Sequence, residues 1–485
     1  MNTMKKVLVA FAILNSQFSV FNLSEAHAGG LLTNSNQNVA FVRQMSQDGI
    51  IDITGLYLNP AGTAFLKDGW HVSANWQNAK QHREITTDFP LFVQNQDNPT
   101  TPHVFEGKAY APVLPSFQLS YNKDKWSLNA NFALNGGGGK CEYDQGLGSF
   151  EALYAGQLAQ MVPAMLPAAV SAGLQTQGIP AAAADAVSQT AQYKGYSLDA
   201  YMKGRQYYFG LSLGATYKFL DNLSGFLGLR TIYATCNYNG YVQDITAYYT
   251  VPNYVPQGEQ VLDQYGLALN CDQTGFGFTP ILGIDYRINK HWNLAAKYEF
   301  ETRMRLKNTS EMNHFAQQQV QNGNVTLAQF EDGKKIPANI PGILNTGVMY
   351  SPIEQVRLMA GWHYYFDKGA KQYNDKQKLI DKNTQEFSAG AEWDICKWVT
   401  VSASWQNTRY GLGDDYMNDL TFNVSNNMVG GGVRIHPSKR FSIDLGYMHT
   451  FYKDHTVTTT TAVGSKTDTY TRKNRVLGLG VNVDF

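Results

Sequence analysis

Several segments of the chain alternate apolar and polar residues with a period of two, which is the spacing of a β-strand with two different faces. In the C-terminal segment one face is apolar throughout: Leu477, Leu479, Val481, Val483 and Phe485. The residues between them are glycine, asparagine or aspartate. The same pattern recurs at residues 207–219, 356–366 and 441–447. Such strands suit a transmembrane barrel, whose apolar side chains face lipid and whose polar side chains face the lumen.

A soluble β-sandwich alternates as well, so the connections between the strands must decide between the two classes. Short polar turns are predicted at residues 122–125, 220–223, 287–291, 351–355, 394–398 and 436–440. Much longer segments lie between them: residues 83–114, 135–203, 239–274, 306–335, 367–384, 411–423 and 452–469. Strict alternation of tight turns and long outer loops is typical of bacterial barrels.

The chain is therefore predicted to be an all-β membrane protein, with roughly fourteen antiparallel transmembrane strands forming a barrel in residues 68–485. The predicted strand starts are Trp70, Pro115, Lys125, Gly204, Leu223, Gly275, Trp292, Ile336, Gln355, Gln385, Trp398, Val424, Arg440 and Tyr470. The last strand closes the barrel against the first.

The composition supports this class. Aromatic residues reach 13% of the 485 residues, with 29 Tyr and 8 Trp, and there are 44 glycines. Charged residues make up only 16%, against about 25% in ordinary soluble proteins. Acidic and basic residues balance at 39 each, which gives no basic face for a nucleic-acid partner. No run of about 18 apolar residues follows residue 29, so a membrane-spanning helix is not predicted.

The N-terminus has the pattern of an export signal. Lys5 and Lys6 precede a mostly apolar run at residues 7–14, and Ala26-His27-Ala28 is a small-x-small cleavage site. Residues 1–28 are therefore predicted to be a cleavable signal peptide, with the mature chain starting at Gly29. The apolar run is far shorter than the roughly 20 residues of a spanning helix. These features predict that the protein lies in the outer membrane of a Gram-negative bacterium.

Residues 29–67 do not alternate, and about 40 residues before the first strand must be placed somewhere. They could extend into the periplasm or fold into the lumen as a plug, also called a hatch. Their apolar content favours packing over disorder: Phe41, Val42, Ile50, Ile51, Leu56, Leu58, Phe65 and Leu66. A wide barrel otherwise leaves an open lumen, so a plug is predicted here.

These features together resemble the FadL/TodX family of outer-membrane transporters for long-chain fatty acids and other hydrophobic compounds. The resemblance rests on Gly29-Gly30 at the mature N-terminus, Asn59-Pro60-Ala61 before the first strand, the strand number and the terminal Phe485. It covers the whole mature chain in architecture, but its specific motifs are few. An ordinary turn before a strand would also explain Asn-Pro-Ala.

The resemblance implies a plug inside a fourteen-stranded barrel and outer loops that capture a hydrophobic ligand. It also implies that the third strand, which by position would be residues 126–135, is kinked and opens a lateral gap toward the membrane. A monomer is expected, in contact with outer-membrane lipid. Phe485 is expected to be the C-terminal residue that the barrel-assembly machinery recognises.

The long outer loop at residues 135–203 is the candidate ligand surface. It is predicted to contain short helices, because Pro163, Pro167 and Pro180 divide it. An apolar set lies there, mostly at helical spacing: Leu153, Leu158, Met161, Val162, Met165 and Leu166. The set either packs as a lid over the barrel or forms a groove for acyl chains, to which flexible methionines are suited. Both readings can hold at once.

Inward-facing charges are predicted on the barrel strands: Arg230, Lys297, Glu299, Arg357, Glu392, Arg434 and Asp444. They are expected to pair with one another or with the plug, because an isolated buried charge is costly. One of the arginines could hold a carboxylate head group, although the sequence does not single one out.

No catalytic or metal centre is predicted. The four cysteines contain no C-x-x-C pair, which argues against zinc. Cys236 and Cys271 are the expected disulfide pair near the outer ends of their strands, with Cys141 as a competitor. Residues 135–141 lack the spacing of a phosphate-binding loop. The histidines are scattered, with no nearby serine or acid to complete a hydrolase site, and no cofactor is implied.

The favoured hypothesis is diffusion-driven uptake of long-chain fatty acids or other hydrophobic molecules, with capture by the outer loops and release sideways or inward. Two alternatives stay open. The protein could be a surface adhesin or structural barrel whose long loops contact a host or matrix. It could also be a general porin for hydrophilic solutes.

Overall fold

A computed structural model describes residues 30, 32, 33 and 38–485, so the predicted signal peptide and its cleavage site lie outside the described residues. Eighteen strands form one antiparallel sheet in this part of the chain. They are β1 Gly69–Asp88, β2 His103–Lys123, β3 Trp126–Tyr143, β4 Gln192–Leu220, β5 Leu223–Val251, β6 Val255–Val261, β7 Leu267–Arg287, β8 Trp292–Glu299, β9 Arg305–Met312, β10 Lys335–Pro337, β11 Ile343–Ile353, β12 Val356–Tyr365, β13 Gln385–Cys396, β14 Val399–Arg409, β15 Asn426–Ser438, β16 Phe441–Tyr452, β17 His455–Thr461 and β18 Gly464–Asp484.

Four barrel strands are each interrupted once, which reduces the eighteen segments to fourteen barrel strands. β6 and β7 both pair with β5, and β8 and β9 both pair with β7. β10 and β11 pair with β9 and β8, and β16 and β17 both pair with β18. β18 then pairs with β1 from Asp484 opposite His71 to Thr467 opposite Asp88, which closes the barrel. The predicted fourteen-stranded antiparallel barrel is confirmed.

The helices lie in the plug and in the outer connections. They are the α-helices α1 Val39–Arg43, α2 Gly148–Thr176, α3 Ala181–Ser188, α4 His314–Gln321 and α5 Val325–Ala328, and the 3-10 helices Ile53–Gly55, Pro60–Phe65, Pro90–Gln94, Asp263–Tyr265, Asp367–Gly369 and Tyr373–Leu379. Within the described residues, no helix combines the length and the apolar character needed to cross a membrane.

The period-two pattern corresponds to the two faces of the wall. Large apolar side chains are exposed on the outside of the barrel, among them Leu213, Leu227, Phe276, Leu358, Trp405, Leu477 and Leu479. On β18 the alternate residues Gly478, Gly480 and Asn482 face inward, and Asn482 is buried. Gly478 makes room for the plug, because a Cβ there would lie 2.7 Å from Val39 Cγ2, whereas a Cβ at Gly480 would lie 2.5 Å from Asn75 Oδ1 and 3.3 Å from Val39 Cβ.

The tight turns occur where the sequence predicts them. The outer ends of the strands lie farther out than the sequence predicts. β1 continues to Asp88 and β2 begins at His103, so most of the loop predicted at 83–114 is strand. The long outer loop predicted at 135–203 is likewise shorter, because β3 continues to Tyr143 and β4 begins at Gln192. The strands extend past the apolar belt with polar residues on both faces, which removes the alternation that identifies them.

Residues 38–66 lie inside the barrel and are almost entirely buried. Asn38 begins α1 by accepting a hydrogen bond from the backbone N of Phe41 at 2.8 Å. Asp52 begins the next helical turn in the same way, accepting from the backbone N of Thr54 at 2.9 Å. Phe41, Val42 and Met45 pack against Met428, Met448 and Val476 on the inner wall. This segment is the plug.

The outer connections pack into a cap around α2. The proline-divided short helices predicted here are only partly correct. α2 is a single helix of 29 residues with Pro163 and Pro167 inside it, whereas Pro180 does separate it from α3. Each proline removes one backbone hydrogen bond, but apolar residues on both halves of α2 pack into one buried cluster. Tertiary packing therefore outweighs the local penalty.

Cys236 and Cys271 both face inward on the adjacent strands β5 and β7 and are thiols here. Cys236 lies opposite Gln273 and Cys271 lies opposite Tyr238, so the two cysteines are diagonal neighbours. Diagonal neighbours lie roughly 7–8 Å apart, beyond the roughly 4.4–6.8 Å between the α-carbons of most disulfides. The Cys236 thiol instead lies 3.9 Å from the Tyr208 hydroxyl. The disulfide stays a prediction that would need backbone movement.

Candidate functional site

The pairing of β2 with β3 is interrupted in the middle of the wall. The ladder runs from Lys123 opposite Trp126 to Phe117 opposite Phe132, and it resumes only at Ala109 opposite Cys141. Residues 110–116 of β2 and 133–140 of β3 have no ladder partner across this seam. The wall therefore has a lateral gap between its second and third strands.

Local sequence explains why the ladder fails there. Pro112 and Pro115 remove two backbone donors from β2. The β3 strand bulges away from regular pairing with β4 between Leu134 and Gly139. Gly137 and Gly139 have φ values of 100° and 70°, in the left-handed region that favours glycine. The third strand is thus kinked, as the family resemblance implies.

A cavity of about 250 Å³ lies inside the barrel at this gap. Ala109, Ala111 and Leu114 of β2 form one edge, and residues 134–137 and 139–141 of β3 form the other. Its outer end is lined by aromatic side chains from the outer connections and strand ends: Tyr143, Tyr238, Tyr410, Phe422 and Tyr452. The lining of the cavity thus includes residues of the outer connections and of both edges of the gap.

Two arginines line the outer end of this cavity. Arg83 on β1 lies directly opposite Arg472 on β18 in the ladder, and both face inward. Arg472 is buried, donates to Asn423 Oδ1 at 2.5 Å and lies 5.1 Å from the ring centre of Tyr452. Arg83 donates to Gln81 Oε1 at 2.7 Å. Neither forms a salt bridge with a carboxylate of the described residues.

The other charges around the cavity do not neutralise this pair. Lys140 also lines it, but its ammonium lies 2.6 Å from Glu142. Asp419 is the one acidic residue among the described lining residues. Its carboxylate accepts hydrogen bonds from the backbone N of Ser149 at 2.7 Å and from the Tyr470 hydroxyl at 3.4 Å. The outer end of the cavity therefore carries an excess of positive charge.

The apolar residues predicted as a ligand surface lie in the packed core of the cap. Leu158, Met161, Val162 and Leu166 are buried there. Leu153 and Met165 are partly buried and pack against the same cluster. The described lining of the cavity includes none of the six. Their positions fit the lid interpretation, and a direct role in ligand binding stays a prediction.

A buried polar cluster fixes the start of α2 to the wall. The Glu151 carboxylate accepts hydrogen bonds from Asn95 Nδ2 at 2.7 Å and from the Tyr196 hydroxyl at 2.9 Å. His103 Nδ1 lies 2.9 Å from the same carboxylate, and its ring stacks on Phe92. These contacts join α2 to the outer ends of β2 and β4.

The Asn59-Pro60-Ala61 motif forms the end of the plug that meets the wall. Asn59 caps a 3-10 helix by accepting from the backbone N of Gly62 at 3.1 Å, and it donates to the carboxylate of Asp285 on β7. The Pro60 carbonyl accepts from the Thr216 hydroxyl at 3.1 Å. The Ala61 carbonyl accepts from the Ser224 hydroxyl at 2.7 Å. The motif is thus a cap with wall contacts, which an ordinary turn would not need.

Phe485 follows the last strand at the seam where the barrel closes. Its backbone N donates to the Trp70 carbonyl at 2.8 Å, and its side chain is exposed on the outside. Recognition of this residue by the assembly machinery stays a prediction.

Buried ion pairs hold the plug in the lumen. Arg43 of α1 lies 2.6 Å from Glu392 and 3.0 Å from Asp444. Asp48 lies 2.9 Å from His363, and Asp52 lies 3.0 Å from Arg434. The predicted inward charges thus pair with the plug or among themselves, including Arg230 and Lys297 with Glu299 and Arg357 with Glu392.

Neither the arginine pair nor the edges of the gap are among the residues that the sequence predicts for the site. The four consecutive glycines at 136–139 and the two prolines of β2 are a signal that could have placed the gap. The opposition of Arg83 and Arg472 depends on the register of the closing seam, which the sequence alone does not give.

The architecture defines a class of protein, a fourteen-stranded barrel with a lumen plug and an interrupted wall, and the chain is similar in fold to several solved structures. A FadL homologue from Pseudomonas aeruginosa is 15% identical, with 94% of this chain and 100% of that chain covered and a TM-score of 0.62. The toluene transporter TodX of P. putida is 12% identical, with coverages of 89% and 94% and a TM-score of 0.54. The toluene transporter TbuX of Ralstonia pickettii is 12% identical, with coverages of 90% and 94% and a TM-score of 0.50.

No family model matches the sequence, and no curated protein matches it. At these identities the similarity shows a shared fold. The chain therefore has the fold of the FadL and TodX structures, which confirms the predicted resemblance at that level.

Proposed function

We propose that this chain is an outer-membrane channel of a Gram-negative bacterium for hydrophobic small molecules, and that its ligands carry an anionic head group, as long-chain fatty acids do. One observation carries the proposal: a cavity that opens through the wall between β2 and β3 and has Arg83 and Arg472 at its outer end. A channel for hydrophilic solutes would have no need of an opening toward lipid.

The filled lumen supports a sideways route. The plug is fixed to the inner wall by buried ion pairs and by the hydrogen bonds of Asn59 and Pro60. A ligand that enters under the cap thus meets the plug below it and the gap beside it. An apolar chain is more stable in lipid than in a water-filled passage, so release through the gap is favoured. Because the plug occupies the lumen, the structure also argues against an open porin.

The arginine pair supports an anionic ligand over a neutral hydrocarbon. TodX and TbuX are named as toluene transporters, and a neutral aromatic ring needs no excess positive charge. Two guanidinium groups opposite each other repel unless an anion lies between them. A carboxylate matches the planar donor geometry of arginine well. Long-chain fatty acids combine that head group with an apolar chain.

The first test compares a long-chain fatty acid with its methyl ester in equilibrium binding to the purified protein, at a pH where the acid is ionised. The wild-type protein should bind the acid more tightly than the ester. Charge-assisted hydrogen bonds contribute about 1.5–3 kcal/mol each, so the Arg83→Met, Arg472→Met double variant, which removes at least two of them, should weaken acid binding at least about 100-fold. Binding of the ester should change little.

Arg475→Met is the matched control, because Arg475 lies on the same strand as Arg472 and is exposed on the outer face. It should leave the binding of both compounds unchanged. Equal binding of acid and ester by the wild-type protein would refute the anionic head group but not hydrophobic uptake. If neither compound binds, and uptake by cells that carry the protein is also absent, the transporter proposal itself is wrong.

A further inference from the structure

Asn135 lies in the kink of β3, at the edge of the lateral gap. It lines the cavity, and its side chain is only 2% exposed. Neither its amide nitrogen nor its amide oxygen has a hydrogen-bond partner among the described residues. Buried polar groups in proteins nearly always have partners. An amide with both atoms unused, on the wall of a cavity, therefore points to a ligand that supplies them.

The neighbouring strand makes room for this side chain. Gly210 on β4 lies behind Asn135, and a Cβ at that position would overlap with Asn135 Oδ1. The residue before it in the bulge is Leu134 and the residues after it are glycines, which offer no polar side chain. The amide is thus held at the gap by the shape of the wall.

Asn135 and the arginine pair lie at opposite ends of the cavity. Phe132 lies opposite Phe117, which lies opposite Ala74. Asn135 is three residues farther along β3, which places it near the level of Leu114 and Gln77. Arg83 is six residues farther along β1 than Gln77, a rise of roughly 20 Å. A ligand that moves from the arginines to the membrane therefore passes Asn135 last.

We propose that Asn135 binds the uncharged polar head of the ligand at the gap, with Nδ2 donating one hydrogen bond and Oδ1 accepting another. This inference rests on the proposed function. The complementary groups both donate and accept: an alcohol, a primary amide or a protonated carboxylic acid. A fatty acid would meet this site after its carboxylate has taken a proton from the aqueous solvent, and would enter the lipid as the neutral acid.

The test measures uptake of a long-chain alcohol and of the alkane of equal length by cells whose outer membrane carries the protein. The alcohol can satisfy both atoms of Asn135, whereas the alkane leaves them unpaired. The wild-type protein should take up the alcohol faster than the alkane. Asn135→Leu should lower the ratio of the two rates about tenfold, as expected for the loss of one or two hydrogen bonds.

Asn131→Leu is the matched control. Asn131 lies on the same face of the same strand, is 3% exposed and also has both amide atoms without partners among the described residues. It lines a smaller cavity beside the plug, and it lies in the part of β3 that is paired with β2, opposite Gln118. The control should keep the wild-type ratio. If Asn135→Leu does not fold, Asn135→Ala should lose the preference and Asn135→Ser, which keeps a donor and an acceptor, should retain part of it.

The outcomes distinguish a failure of this inference from a failure of the proposed function on which it rests. A ratio that falls in Asn135→Leu and not in Asn131→Leu supports it. Uptake of both compounds at rates that no Asn135 variant changes, or an equal loss in Asn131→Leu, would overturn the inference and leave hydrophobic uptake standing. Failure of the wild-type protein to take up either compound would overturn both.

Discussion

Asp367 is a buried carboxyl group in an outer connection, between β12 and β13. Its side chain is 1% exposed, and its Oδ2 accepts a hydrogen bond from the backbone N of Thr384 at 3.0 Å. Burial raises the pKa of Asp367 to about 7, and the nearby charge of Glu386 acts in the same direction. The folded loop therefore binds a proton that the unfolded loop releases near its ordinary pKa of 3.8.

This difference predicts a pH-dependent loop. A raised carboxyl pKa favours the folded loop most at low pH, and its stability should fall as pH rises from about 4 to about 7. Hydrogen exchange of residues 367–384, corrected for intrinsic rates, should therefore be better protected at the acidic end of that range. Asp367→Asn should remove the dependence, because the amide stays neutral.

Asp375→Asn is the control for this prediction. Asp375 is a partly exposed carboxylate in the same loop, and its hydrogen bond with Lys378 lowers its pKa. It is therefore ionised throughout the tested range, and its substitution should not change the pH dependence. Equal protection of the wild-type loop at both ends of the range would show that Asp367 does not control its opening.

Individual residues also show where prediction from sequence stops. Alternation identified Arg230 and Glu299 as inward-facing, and they do face each other with N–O distances of 2.5 and 2.9 Å. They lie on β5 and β8, with β7 between them. Arg43 pairs with residues that follow it by more than 300 positions. The orientation of a charge is a local property, whereas its partner depends on the register of distant strands.

At the level of elements, the inner ends of the strands were predictable and the outer ends were not. The predicted starts Leu223 and Trp292, which follow inner turns, are the observed starts of β5 and β8, and the start of β13 at Gln385 is an exception on the outer side. Polar turn residues mark tight connections directly. By contrast, the predicted start at Gly204 falls 12 residues inside β4, which begins at Gln192. Above the apolar belt both faces of a strand meet polar surroundings, so the signal that defines it is absent.

The lateral gap is the element on which release should depend. Ala111 lies on β2 at the edge of the gap, and a tryptophan there would fill space that a ligand must cross. Ala111→Trp should lower uptake of a hydrophobic ligand at least about tenfold. Binding at the arginine pair should change little, because Ala111 lies opposite Ala79, four residues from Arg83 along β1, a distance of roughly 13 Å. Uptake by cells and binding to purified protein are the two measurements.

Ala360→Trp is the control, since Ala360 is an exposed residue on the outer face of β12, away from the gap. It adds the same side chain to the barrel and should leave uptake unchanged. Normal uptake by a folded Ala111→Trp variant would exclude the gap as the route. It would indicate an axial path beside the plug instead.

On the scale of the whole molecule, a network of buried ion pairs connects the plug to the barrel wall. Arg43, at 0% exposure, links α1 to Glu392 and Asp444, and Arg434 links Asp444 to Asp52 of the plug. Buried pairs of this kind add little net stability when complete, but removing one partner leaves an uncompensated charge. The plug is therefore held by linked ion pairs, and the loss of one should weaken the others across the lumen.

Arg43→Met should loosen the plug, because it leaves Glu392 and Asp444 with fewer cations. Removal of one partner from a buried pair costs about 3–5 kcal/mol. Proteoliposomes that contain this variant should swell faster in a small sugar than those with the wild-type protein. Removal of residues 38–66 should raise the rate further. Lys67→Met, an exposed lysine just after the plug, should leave the rate unchanged.

The swelling rates also distinguish a transporter from a porin on physical grounds. In a plugged barrel the lumen passes little solute until the plug moves, so the order of rates should be wild type, Arg43→Met and then the deletion. An open porin conducts through space that the plug does not occupy, so the wild-type protein would already swell vesicles rapidly and neither change would add much. A rapid wild-type rate would therefore contradict the filled lumen from which lateral release was inferred.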